Sequence, residues 1–315
     1  MNRPLCFAIA LLALPLILNA QQQQPANPPR NRLDKALVTK ATPEPKGKAS
    51  PNESKSVKQY TIEQFMNTTR VGGSAFTADE QTVLFHSNKS GIFNVYSVPF
   101  AGGEPKQLTD SAKESTYIVT AFPTDARFLY RHDVGGNENE HLYLREIDGS
   151  ERDLTPGEKT KANFLGWSQD RKSFFISTNE RDPKFFDIFE MSLADLKPQL
   201  IYKDETGFNF ADISNDKRYI AFGKPGPTTG DSDVYHYDTQ AREMKNITPH
   251  EGVVDNQPQV FDVDSKNLYF LSDDGAEFKY IARHELATGK RDVVEKAPWE
   301  VSYVYFSHNG KYRVV

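Results

Sequence analysis

From Phe76 onward, short apolar runs alternate with polar turns at a steady interval. Five segments line up: Phe76 to Thr109, Phe122 to Thr155, Gly166 to Tyr202, Asp212 to Thr248 and Phe261 to Glu295. Each opens on a polar turn (TADEQ, PTDAR, SQDRK, SNDKR, VDSKN) that runs into an apolar strand (VLFHS, FLYRH, SFFIS, YIAFG, LYFLS). A second strand rich in aromatic and β-branched residues follows (FNVYSVPF, HLYLREI, FDIFEMSL, DVYHYD, KYIARHEL). Leu84, Leu129, Phe174, Ile220 and Leu268 hold comparable places, 45, 45, 46 and 48 residues apart, and a sixth copy opens at Phe306 and stops at Val315. All-strand units at this period predict a β-propeller of four-stranded blades. The fold class is therefore all-β, with five complete repeats, the start of a sixth, and an incomplete ring.

Within a blade, strands a to d run outward from the central axis as an antiparallel sheet. Strand a falls just before each polar turn, as in NFLGWS and FNFADIS, and strand d ends at QLT, DLT or NIT. Alternate connections of an antiparallel sheet emerge on opposite faces, so the a–b and c–d turns share one face and the b–c and d–a connections the other. The b–c connections are the long and variable ones: residues 133–140, 179–185, 224–233 and 272–278. Variable loops on a rigid scaffold are where recognition concentrates, which makes Glu138, Glu140, Arg181 and Asp182 the candidate substrate-facing residues. Before the repeats, Thr61 and Gln64 have capping-box spacing for one short helix over Thr61 to Met66.

Composition adds the cellular setting. Arg3 followed by Leu5–Leu18 is too short an apolar core to span a bilayer but suits a secretory signal, with cleavage expected after Ala20. Residues 21–57, rich in Pro, Gln, Lys and Ser, read as a disordered linker, and 58–315 as the propeller. The expected mature protein is exported, periplasmic or extracellular, and does not span a membrane. The linker carries seven Lys/Arg against three Asp/Glu, and with Arg3 also set apart the formal net charge of −5 leaves −10 on residues 58–315. An acidic body argues against nucleic acid as a partner. Cys6, the single cysteine, lies in the expected leader, so disulfides and thiolate metal sites are not expected.

No catalytic set stands out. Gly72-Gly73-Ser74-Ala75-Phe76, leading into the first blade, and Gly230-Asp231-Ser232-Asp233-Val234, in a loop, are near misses of G-x-S-x-G, and neither precedes a helix. The seven histidines show no metal-ligand spacing, and several, lying in or beside strands, read as surface or satisfied core groups; Asp262 and Asp264 do not continue into a calcium loop. No cofactor and no metal is expected.

The strings YTIEQFMNTTRVGG, LFHSNKSGIFNVYSVPFAGGEPKQLT, HDVGGNENEHLYLREIDGSERDLTPGE, GWSQDRKSFFISTNERDPKFFDIFEMSL and DSDVYHYD resemble the N-terminal propeller of prolyl oligopeptidase family serine peptidases, most in the style of the exported dipeptidyl- and acylaminoacyl-peptidase branch. The resemblance covers roughly residues 58–315. It implies a lid over a C-terminal α/β-hydrolase domain whose Ser-Asp-His triad has no counterpart in these residues. It also implies short peptides as the partner, met through that missing domain, and an inactive chain on its own. In some members acidic propeller residues hold a peptide's amino terminus; Glu138 and Glu140 are placed to be compared with them, although no motif match carries that role over. The alternative is a non-enzymatic periplasmic or extracellular propeller of the Tol-associated type that binds protein partners. A third reading, a glycan-binding or lyase-type propeller, lacks the expected aromatic or His/Asp sets on one face.

Overall fold

The computed structural model describes residues 58–315. The expected signal (1–20) and linker (21–57) lie outside the described residues. Helix α1 (Ile62–Met66) closes the anticipated capping box: Gln64 N–H donates to Thr61 Oγ1 at 3.2 Å, and Thr61 N–H to Gln64 Oε1 at 2.9 Å.

Five four-stranded antiparallel meanders follow. Blade 1 is β1 (Val71–Phe76), β2 (Thr82–Ser87), β3 (Asn94–Pro99) and β4 (Lys106–Gln107). Blade 2 is β5 (Tyr117–Ala121), β6 (Phe128–His132), β7 (His141–Arg145) and β8 (Glu151–Asp153). Blade 3 is β9 (Ala162–Trp167), β10 (Ser173–Asp182), β11 (Phe185–Ser192) and β12 (Pro198–Tyr202). Blade 4 is β13 (Asn209–Ile213), β14 (Tyr219–Pro225), β15 (Ser232–Asp238) and β16 (Glu243–Asn246). Blade 5 is β17 (Asn256–Phe261), β18 (Asn267–Ser272), β19 (Tyr280–Glu285) and β20 (Arg291–Glu295), and a two-stranded piece, β21 (Tyr305–Phe306) with β22 (Arg313–Val314), begins blade 6. The all-β propeller with an unclosed ring is the architecture present.

Repeated polar pins explain why the same turns recur. At the a–b turns, the hydroxyls of Thr77, Ser168, Ser214 and Ser307 donate to Asp79, Asp170, Asp216 and Asn309 at 2.6–2.9 Å. The same oxygens accept the N–H of the residue that begins or immediately precedes the next strand: Thr82, Ser173, Tyr219 and Tyr312. That reciprocal use of one hydroxyl and one acidic or amide side chain fixes the turn locally. Gly310, left-handed at φ +67, is needed where a Cβ would stand 2.9 Å from Val263 Cγ2. At the opposite face, Thr109, Thr155 and Thr248 accept the N–H of Val95, Leu142 and Val234 at 2.8–2.9 Å, which locks the end of strand d onto strand c.

Register sets the blade alternation. The residues opposite the last residue of strand a are Val83, Phe128, Phe174, Ile220 and Leu268. Leu84 and Leu129 are therefore one place further along strand b than the sequence alignment put them, and a one-residue slip exchanges the two faces of a blade. With the register corrected, Phe128 and Tyr130 face blade 1, whereas Leu129 faces blade 3. Likewise Leu268 and Phe270 face blade 4, and Tyr269 and Leu271 face blade 6. Among the described residues five apolar clusters form, each made by two neighbouring blades and filling one junction. Val83 and Phe85 hold the equivalent positions on blade 1, where no preceding blade covers them among the described residues; with Val71, Tyr96 and Val98 they line an apolar hollow of about 480 Å³.

Two local expectations change. Residues 179–185 are not a loop: β10 and β11 continue through them as one long hairpin. Gly72–Phe76 does not lead into the first blade but forms most of its innermost strand, β1.

Candidate functional site

Every complete blade carries a bulge in strand a against strand b. Such a bulge re-aims side chains and loosens the edge it sits on. At the junction of blades 4 and 5 the two bulged strands, with the b–c rim, enclose a cleft of about 380 Å³. Asn209, Phe210 and Ala211 line it from β13, Gln257, Pro258 and Gln259 from β17, and Asp231, Ser232 and Asp255 from the rim.

The rim is a dense polar network. Ser232 Oγ lies 2.9 Å from Asp255 Oδ1 and 2.8 Å from the Asn256 carbonyl. Asp255 Oδ2 accepts from Gln257 Nε2 at 2.8 Å and lies 3.1 Å from Lys279 Nζ, which also pairs with Glu300 at 2.8 Å. Glu300 foremost, then Asp255, raises the Lys279 ammonium above its ordinary range. His250 is held from both sides: Nε2 faces Asp231 Oδ1 at 2.9 Å, and Nδ1 faces the Thr248 carbonyl at 2.9 Å and Asp233 Oδ1 at 3.3 Å. With acceptors at both nitrogens the ring favours its doubly protonated form, and its pKa is raised by the Thr248 carbonyl and then by Asp231. Deeper in the same junction, burial pushes the Asp212 carboxyl up to about 7, against the lowering effect of the Phe261 N–H that it accepts at 2.8 Å.

Ser232, His250 and Asp231 thus sit together without forming a catalytic set. A nucleophile needs its hydroxyl within about 3 Å of a base with a free lone pair. The Ser232 hydroxyl is engaged by Asp255 and Asn256, and both His250 nitrogens face acceptors. Ser74 lies inside β1. No group of three or more His, Cys, Asp or Glu is placed to hold a metal among the described residues. The arrangement offers hydrogen-bonded recognition and no acyl-transfer chemistry.

The residues singled out from sequence fall in two other blades. Glu140 pairs with Arg131 at 2.7 Å, and Glu138, left-handed at φ +59, donates its N–H to Asp133 at 2.8 Å, leaving an exposed carboxylate on the blade 2 loop. Arg181 forks onto Asp187 through two 2.7 Å bonds and also reaches the Asp204 carbonyl. Asp187 in turn accepts the Asp204 N–H at 2.8 Å, so Arg181 ties the long hairpin to the d–a crossover of blade 3. Asp182 accepts the Lys184 N–H at 2.9 Å and closes the hairpin turn. No hydrogen bond or ion pair joins the blade 2 pair to the blade 3 pair among the described residues. The cleft residues escaped sequence reasoning because each blade contributes only part of the cleft. Reading Asp231, Asp233 and His250 together on one face was the available signal.

Histidines also depart from expectation. His86, His236 and His284 each bury at least one ring nitrogen without a partner, so they are not satisfied core groups.

The model of the prolyl oligopeptidase N-terminal β-propeller domain matches residues 108–305. Dipeptidyl aminopeptidase BIII of Pseudoxanthomonas mexicana is 29% identical over 214 residues, 65% of this chain and 30% of that protein. The chain therefore spans about a third of the length of this curated relative. Among solved structures, a prolyl endopeptidase aligns with a TM-score of 0.55 at 16% identity over 76% of this chain and 38% of its own. An oligogalacturonate lyase in complex with manganese aligns with a TM-score of 0.58 at 15% identity over 77% of this chain and 70% of its own. Likeness at that identity shows a shared propeller fold and nothing of shared chemistry. By the match of its blades 2 to 5 to that domain, the chain belongs to the prolyl oligopeptidase family, as an N-terminal β-propeller.

Proposed function

We propose that residues 58–315 are the substrate-gating propeller of an exported serine peptidase of the prolyl oligopeptidase type, acting on short peptides. Acyl transfer would belong to an α/β-hydrolase domain of the parent polypeptide and not to these residues. The observation that supports this most is the combination of the family's propeller with a polar cleft whose one Ser–His neighbourhood is wired for structure. Five apolar junctions hold neighbouring blades rigidly together, which suits a lid that admits small or unfolded substrates. Export is supported by Arg3 and the Leu5–Leu18 core.

The test is peptide hydrolysis by this chain and by the longer reading frame that contains it, each offered short peptides and a folded protein. The expected result is no turnover by the chain alone, cleavage of short peptides by the longer product, and loss of the size limit when 58–315 are deleted from it. Hydrolysis by the chain alone, or a longer frame without a hydrolase, would overturn the proposal.

A further inference from the structure

Junctions between blades use equivalent positions on their third strands. At junction 2/3 these are Leu144, opposite Leu129, and Met191, opposite Phe174; both are fully buried in one apolar cluster. At junction 4/5 the same two positions are His236, opposite Ala221, and His284, opposite Leu268. The two imidazoles meet edge to face with centroids 5.6 Å apart, and they are 6% and 2% exposed. His236 Nδ1 and both nitrogens of His284 are buried with no hydrogen-bond partner. Where junction 2/3 places a leucine and a methionine, junction 4/5 places two titratable rings, three of whose four nitrogens have no hydrogen-bond partner.

We propose that junction 4/5 is an acid-triggered release, with the His236–His284 pair as its trigger.

The surroundings make charge on either ring unwelcome. Lys245 stands opposite His236 on β16, and Arg291 opposite His284 on β20. The Tyr219 ring lies 5.3 Å from His236. Of the two carboxylates on the same strand, Asp238 is engaged by Arg218 at 2.8 Å and Asp233 by His250 at 3.3 Å. A proton entering the pair therefore meets cations, an aromatic ring and its twin, with no free carboxylate. Burial first, then the neighbouring positive charges, holds both rings down to about 4. Below neutrality, protonation favours any state in which the rings reach water, and the nearest such state separates blade 4 from blade 5. That separation carries the cleft with it, because β13 and β17 are its two walls. The inference stands whether or not the chain serves a peptidase.

The experiment is hydrogen exchange of the full chain, corrected for intrinsic rates, at neutral pH and near pH 4.5. Strands β15 and β19 are expected to lose about tenfold protection or more in acid, while β7 and β11 at junction 2/3 keep theirs. The variant His236→Leu/His284→Met, which copies the junction 2/3 pair, is expected to keep β15 and β19 near pH 4.5 at their neutral-pH protection. Equal loss at all junctions, or the same loss in the variant, would overturn the proposal. Should the variant not fold, the wild-type imidazoles can be titrated by NMR: midpoints below about 5 support the trigger, and midpoints in the ordinary range near 6.5 refute it.

Discussion

Replacing Phe174 by alanine and, separately, Phe85 by alanine probes the blade arrangement with one chemical change on the same face of strand b in two blades. Phe174 is fully buried in junction 2/3, with the rings of Trp167, Phe164 and Phe122 at 5.3, 6.0 and 6.3 Å. Deleting a buried phenylalanine costs about 3–5 kcal/mol, through lost transfer energy and the cavity left behind. Phe85 is two places beyond Val83, the residue equivalent to Phe174, and is only half-buried, with the single ring of Tyr96 stacked at 5.7 Å. No neighbouring blade closes over it among the described residues, so its loss should cost about 1 kcal/mol. Urea unfolding followed through Trp167, which sits in junction 2/3, reads the difference. The exposed Trp299 can be replaced by phenylalanine to remove its background. Equal destabilisation by the two substitutions would refute the reasoning, because it would mean that the outer face of blade 1 is sealed like an internal junction.

Three further outcomes follow from the polar contacts. Asp212 has a folded pKa raised to about 7, so its burial erodes stability as pH climbs from about 4 through 7; Asp212→Asn keeps the acceptor for Phe261 N–H and should gain about 1–2 kcal/mol near pH 8 and little near pH 5, measured by urea midpoints. His250 has the opposite sign: its raised pKa gives stability that is full below about 6.5 and lost as pH rises through the folded value, so His250→Gln should flatten that alkaline decline in thermal melts. Thr248→Val removes the acceptor of the buried Val234 N–H and should cost about 1–3 kcal/mol in urea unfolding, whereas Thr124→Val, on an exposed turn, should cost little.

Much of this was legible because the Ser/Thr-x-Asp turn is self-contained: hydroxyl, carboxylate and the next strand's N–H all lie within a few residues, so Ser168–Ser173 and Ser214–Tyr219 announce themselves. Register was harder. Strand b of an inner blade buries both faces, so Phe128 and Leu129 are equally apolar and alternation gives no sign of which is which. Residues 179–185 read as a loop because charges and Pro183 crowd there, yet Asp187 and the Asp204 carbonyl satisfy Arg181 and let the hairpin run on. The cleft and the histidine pair depend on two blades meeting. His236 and His284 lie in successive repeats at positions one register step apart, so only the facing of neighbouring sheets makes them a pair.

The most direct test of a lid without chemistry is labelling by an active-site-directed fluorophosphonate, applied to this chain and to the longer reading frame that contains it, with the modified residue located by mass spectrometry. The account predicts no label on residues 58–315 in either polypeptide and a labelled serine in the longer product only. Stoichiometric label on Ser232, Ser74 or any other serine of the blades would contradict it.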